Sequence, residues 1–186
     1  AVTFSPVVPS PRVAAVTTLG QATVFEVSAA NDKAGLTILA SRNPQKEEPL
    51  AQFALLHEGH LWVAGRQLTK LAVLPTGNQL PVRSIDRDFH GDAFDYPLQT
   101  AGDLLVHLRR PATSAGAIIA ATNAEGALAW ETQLAVPPAG APAVDASGLR
   151  ITAGAASGVV FLLDRAAMTR RVQNEAEHLA AAPAKL

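Results

Sequence analysis

The residues best suited to chemistry gather in one polar stretch, Asp86–Pro97. Its sequence DRDFHGDAFDYP brings Asp86, Asp88, His90, Asp92 and Asp95 together around Gly91. Closely spaced carboxylates in a glycine-containing loop are what a hard cation such as Ca²⁺ takes as ligands, so Asp86, Asp88 and Asp92 are the candidate metal set. An EF-hand loop opening at Asp86 needs a carboxylate at its twelfth position. Pro97 stands there, and no helices flank the loop. The stretch is either a cation loop of another kind or a solvated connection between strands.

A second pattern, His57-Glu-Gly-His60, is similar to the zinc-hydrolase pattern H-E-x-x-H but is one residue short. The helical version sets its two imidazoles at i and i+4, whereas Gly59 here lies between two strand-like runs. A turn is the plainer reading. Nucleophilic catalysis has no anchor either: G-x-S-x-G is absent, and Ser147-Gly148 and Ser157-Gly158 fall in turns. His107, mid-strand beside Arg109-Arg110, reads as a half-exposed strand histidine; that pair and Arg170-Arg171 read as solvated edges or as contacts for an acidic partner. Neither G-x-x-x-x-G-K-[ST] nor G-x-G-x-x-G occurs, which leaves nucleotide phosphates without a cradle. No residue is assigned a catalytic role.

Composition sets outer limits. Fifteen basic residues against sixteen acidic ones give a net charge of −1, which offers nucleic acid no electrostatic footprint. The chain has no Cys, so disulfides, thiolate nucleophiles and Cys-ligated zinc are excluded. No apolar run approaches the ~20 residues of a membrane span, and membrane insertion is not expected. The N-terminus AVTFSPVVPSPR lacks the form of an intact signal peptide. Hydrophobic residues make up 48% of the chain but aromatics only 5%, so a core would consist of Ala and Val and suit closely spaced sheets.

Elements that could position these residues are short strands divided by Gly and Pro. Pro6, Pro9 and Pro11 mark an extended lead-in. Val13–Thr18 and Thr23–Ser28 form a hairpin about Leu19-Gly20, and turns at Asn31-Asp32 and Ala34-Gly35 lead to Leu36–Ala40. Leu50–Leu56 and Leu61–Ala64 flank the His57–His60 turn, with Gln67–Leu74 and Leu80–Ile85 after them. Past the polar loop come Leu98–Thr100, Leu104–Leu108, Ala117–Ala121 and Leu128–Leu134. The series closes with Pro142–Asp145, Leu149–Ala153 and Val159–Leu163. From Thr169 onward, Val172, Ala176, Leu179 and Ala180 take helical spacing and predict a short helix ended by Pro183.

This rhythm repeats. Pro11, Pro49, Pro97 and Pro142, spaced 38, 48 and 45 residues apart, each open a similar unit of β runs. Units of about four strands cannot bury both faces alone and must stack, which is what β-propeller blades do. The fold class expected is therefore all-β, a propeller-like array of about four four-stranded antiparallel blades with a short C-terminal helix. Residues 1–186 form a single segment with blades at 11–48, 49–96, 97–141 and 142–186, the first lacking its last strand. The alternative is a β-sandwich of ordinary hairpins.

The fourth unit carries a recognisable signature. Pro142-Ala-Val-Asp145, Gly148, Gly154 and Gly158-Val-Val-Phe-Leu-Leu-Asp164, preceded by Trp130, resemble the repeat of quinoprotein-like (PQQ-like) β-propellers. His57-Glu-Gly59, Leu61-Trp-Val-Ala-Gly65 and Leu71–Gly77 look like a more divergent copy. The resemblance covers most of the chain by period and about a third of it by motif. It implies blades packed face to face, with Trp62 and Trp130 as anchors between sheets. It also implies a larger ring, since about six to eight blades usually close one in that family, and an extracytoplasmic setting. Quinone-dependent members hold their cofactor with a vicinal Cys pair, which this chain lacks, so no quinone site is expected within it.

Three functions follow as expectations. The leading one is a non-catalytic propeller module for binding or scaffolding, partnered by another protein or by the remaining blades. The others are a piece of a quinone-dependent dehydrogenase whose site is completed elsewhere, and a β-sandwich adhesion domain.

Overall fold

The computed structural model describes residues 2–5, 11–30, 33–43, 52–65, 67–73, 80–81, 91–113 and 115–181. The chain is all-β apart from one helix and consists of several small antiparallel sheets. It divides into two compact units, Ala1–Leu98 with Arg109–Ser114, and Gln99–Leu108 with Ala115–Leu186.

The first unit opens on a four-stranded sheet in sequential order: β1 (Val2–Ser5), β2 (Arg12–Val16), β3 (Ala22–Ala30) and β4 (Lys33–Arg42). The β2–β3 turn closes where Gly20 adopts φ +82° and its N–H donates to the Thr17 carbonyl. Beside it lies a three-stranded sheet, β5 (Phe53–His57), β6 (His60–Ala64) and β7 (Leu68–Ala72). Between the two sheets Ala14, Val24 and Ala40 meet Leu56, Leu61 and Leu71, all buried. Alanines on one side and leucines on the other let the sheets approach closely, and this small-with-large layering fills the core. Within the second sheet the Lys70 ammonium lies 5.4 Å from the centre of the buried Trp62 ring, directly across the strand pair. A short strand, β8 (Ala93–Phe94), completes this unit and pairs with Arg109 and Arg110.

In the second unit β9 (Gln99–Ala101) pairs with the start of β10 (Leu104–Arg110), and β11 (Ala117–Thr122) and β12 (Leu128–Leu134) follow in order. Trp130, Ile119 and Leu105 are buried there. A further three-stranded sheet holds β13 (Ala143–Val144), β14 (Arg150–Gly154) and β15 (Val160–Asp164). Helix α1 (Arg165–Ala181) leads directly from β15 and packs against β12.

The strand rhythm read from the sequence is present, with instructive differences. The first sheet has its fourth strand at the front, in Val2–Ser5, rather than lacking one at the back. Ala34-Gly35 is not a turn: both residues sit inside β4, because pairing with Ser28 and Ala29 holds them extended. Asn31-Asp32 lies outside the described residues. The stretch read wholly as loop contains β8. Helix α1 begins four residues before Thr169, because Asp164 ends β15 and also caps the helix, its Oδ1 accepting the Ala167 N–H at 2.8 Å. Leu80 is buried and, with Pro81, lies outside any strand, while 82–85 of the expected Leu80–Ile85 run, like Pro183, lie outside the described residues.

Candidate functional site

Of the three carboxylates proposed as cation ligands, Asp86 and Asp88 lie outside the described residues, as does His90. Asp92 is placed, and both its oxygens are engaged. Oδ2 accepts from the Arg109 guanidinium at 2.8 Å, and Oδ1 accepts the Ala112 N–H at 3.2 Å. Arg109 is 6% and Asp92 8% exposed, so this is a buried ion pair that ties the polar loop to the end of β10. Asp92 could ligate a cation only by giving up Arg109. One residue on in β10, Arg110 reaches Asp95 at 2.6 Å on the surface. That contact, chiefly its hydrogen bond and then its charge, raises the Arg110 pKa. Among the described residues no three His, Asp or Glu side chains come together as a metal would require.

The His57–His60 turn is a two-residue hairpin. Glu58 and Gly59 both have positive φ, 47° and 72°, the twist that lets two residues join antiparallel strands. His57 and His60 face each other across the pair. His60 Nδ1 donates to the Glu58 carbonyl at 2.9 Å, while His57 Nε2 sits 3.9 Å from the Glu58 carboxylate. The glycine that breaks the zinc spacing is thus the one that makes the turn. His107 is fully buried in β10, not half-exposed as strand position alone suggests. Arg170 and Arg171 are exposed on α1.

The second unit uses its polar groups to lock hairpins. Asp145 accepts from the Leu149 N–H at 2.9 Å, the Arg150 N–H at 3.1 Å and the Ser147 hydroxyl at 2.8 Å, which folds the β13–β14 turn around one carboxylate. These bonds, the Arg150 N–H first and Ser147 next, lower the Asp145 pKa. Gly148 then presses on the β9–β10 turn so closely that a Cβ there would lie 2.6 Å from the Gly102 nitrogen. Arg165, at the start of α1, clamps the same turn by donating to the Ala101 carbonyl at 3.1 Å and to Asp103. Nothing in the sequence marked Arg165, since its partners lie over sixty residues away.

Two of the sheets also turn apolar residues outward. Along β14 and β15 the register pairs Ile151 with Leu163 and Ala153 with Phe161 on one face, and Thr152 with Leu162 and Gly154 with Val160 on the other. Ile151 and Ala153 are buried, whereas Val160 and Leu162 are 67% and 65% exposed. The first sheet is similar. Ala14, Val24 and Ala40 line its buried face, and Val13, Phe25 and Ile38 form a cross-strand row on the opposite one, with Leu36 beside them. Ile38 and Leu36 are 63% and 62% exposed. Apolar residues on both faces are the pattern of a strand that expects cover on both sides. Strand periodicity alone contained this signal, but not which face would stay open.

No family model matches the chain, and no curated protein matches it. Among solved structures it is similar to BamB from Moraxella catarrhalis, with a TM-score of 0.58 at 15% identity over 89% of this chain. The match takes in 44% of the solved chain, so the present chain spans less than half its length. Among the described residues no helix is long and apolar enough to cross a membrane. With four small sheets among the described residues, the likeness supports the propeller over the sandwich: the fold is that of a partial β-propeller.

Proposed function

We infer that the chain is a non-catalytic β-propeller segment acting as a binding and scaffold module, which holds a protein partner against the outer face of its β13–β15 sheet. One observation carries the reading: Val160 and Leu162 stand 67% and 65% exposed on a sheet whose opposite face is buried. Leaving two aliphatic side chains in water forfeits about 1.5–3 kcal/mol each relative to burial, a cost that contact with a partner removes. Leu149 and Val159 extend the same exposure at the strand ends. The resemblance of Pro142–Asp164 to quinoprotein-like repeats supports the reading, and so does the likeness to a longer propeller. On this reading the module works outside the cytoplasm.

Photo-crosslinking tests it. A photoreactive side chain at position 162 should capture a protein partner, while one at the exposed turn residue Glu125 should not. Failure to form any adduct from position 162 would remove the reading.

A further inference from the structure

We propose that the occupant of the β13–β15 face is the first sheet of a second copy of this chain. The proposal rests on the scaffold reading and gives it a partner.

The two outward faces, the first exposed at Leu36 and Ile38 and half-buried at Val13, Phe25 and Val27, are complementary in size. On the last sheet the outward row across β13, β14 and β15 is Ala143, Thr152 and Leu162, with Gly154 and Val160 next to it. Its centre is therefore shallow and its edge raised. On the first sheet the outward row is Val13, Phe25 and Ile38, with Val27 and Leu36 beyond. Large side chains set against small ones are how stacked sheets reach native packing density. Two large faces would hold each other apart, and two shallow ones would leave voids.

Charge agrees. The outward face of the first sheet carries no charged side chain through Val13, Ala15, Thr23, Phe25, Val27, Leu36, Ile38 and Ser41. The last sheet has one acid and one base on its outward face, Asp164 and Arg150, directly opposed across the strands at one end. Neither face would bury an uncompensated charge against the other. Both halves of the contact occur on the same polypeptide, so a single chain type is enough to form it. The contact joins unlike faces, so it is heterologous.

Sedimentation equilibrium of the 186-residue chain across the micromolar range reads the result. A weight-average mass that rises above 19.3 kDa with concentration is expected. Leu162→Lys and Ile38→Lys should each weaken association about tenfold or more, since each buries an unpaired cation within one face. Both positions are exposed in the single chain, so circular dichroism should stay that of the parent, and Tm should match the parent's at concentrations where the parent is dissociated. Mixing the two variants should restore association beyond that of either alone, because one undamaged pair of faces becomes available. A monomer at every concentration, association indifferent to both substitutions, or no gain on mixing would each overturn the proposal. If position 162 crosslinks to a different protein while the chain stays monomeric, the second copy is overturned and the scaffold reading stands. If position 162 crosslinks to nothing, both fall.

Discussion

The polar loop around Asp92 and the sheet β13–β15 invert each other. The loop holds the residues that look most like chemistry, and its one described candidate ligand is used internally: Asp92 is buried and spends both oxygens on Arg109 and Ala112. The sheet holds residues that look like core, and Val160 and Leu162 face outward. Residue type alone would assign function to the first and packing to the second. Burial and partners instead tie Asp92 into the fold and leave the face of β15 open. A carboxylate is available for function only if nothing in the fold has already claimed its lone pairs. An aliphatic side chain is available for a partner only if the fold has left it exposed.

The most damaging test of that contrast is Asp92→Ala. It strands the Arg109 guanidinium in a buried site, and breaking a buried pair in this way costs about 3–5 kcal/mol. The neighbouring surface pair responds differently: Asp95→Ala should leave the unfolding midpoint almost unchanged, because Arg110 stays in water. Urea denaturation of both variants gives the comparison. Equal losses would mean that Asp92 is no more structural than Asp95.

Next in size is the contrast within the last sheet itself. Ile151→Ala removes a fully buried side chain and should cost about 2–5 kcal/mol. Leu162→Ser, on the opposite face of the same sheet, should change the stability of the single chain by about 0.5 kcal/mol or less. If the two cost alike, the outer face of β15 is not open.

Much of this architecture was legible because strand periodicity and turn chemistry are local. The hairpins at Thr17–Gln21 and His57–His60, and the run of strands from Gln99 to Leu134, needed only alternation and a glycine in the right place. What was missed depends on distant partners. β8 is two residues long and exists because Arg109 and Arg110 pair with it. Ala34-Gly35 has turn-like residues but is held extended by β3. The early start of α1 was legible in principle, since an aspartate ahead of a helical run is a cap signal. Asp164 went unread because it also fits the end of a strand. The engagement of Asp92 and the openness of Leu162 are facts of tertiary burial, which one sequence does not carry.

A smaller effect tests whether the second unit is held by backbone proximity as well as by side chains. Gly148 has φ +69° and faces the Gly102 nitrogen at a distance no real Cβ tolerates. Gly148→Ala should cost about 1–3 kcal/mol through the strained dihedral alone, and more if the β9–β10 turn cannot yield. Hydrogen exchange should show the loss first at the amides near Gly102. Unchanged protection there would mean that Arg165 alone holds the turn.

The smallest expected effect concerns a carboxylate whose use is local and visible to solvent, between the two extremes of Asp92 and a free side chain. Asp145 has its pKa lowered by the N–H groups of Arg150 and Leu149 and by the Ser147 hydroxyl. A group with a depressed folded pKa stabilises the fold fully above its unfolded pKa, ~3.9 for an aspartate, and loses that contribution as pH falls through the folded value. Relative to Asp145→Asn, the parent should therefore be the more stable at neutral pH, with the gap closing in the acid range below pH ~4. Paired thermal melts from pH 7 to pH 2 read this directly. A gap that stays constant over that range would show that the Asp145 turn depends on side-chain shape and not on its charge, and the hairpin would then share nothing with the Asp92 anchor but residue type.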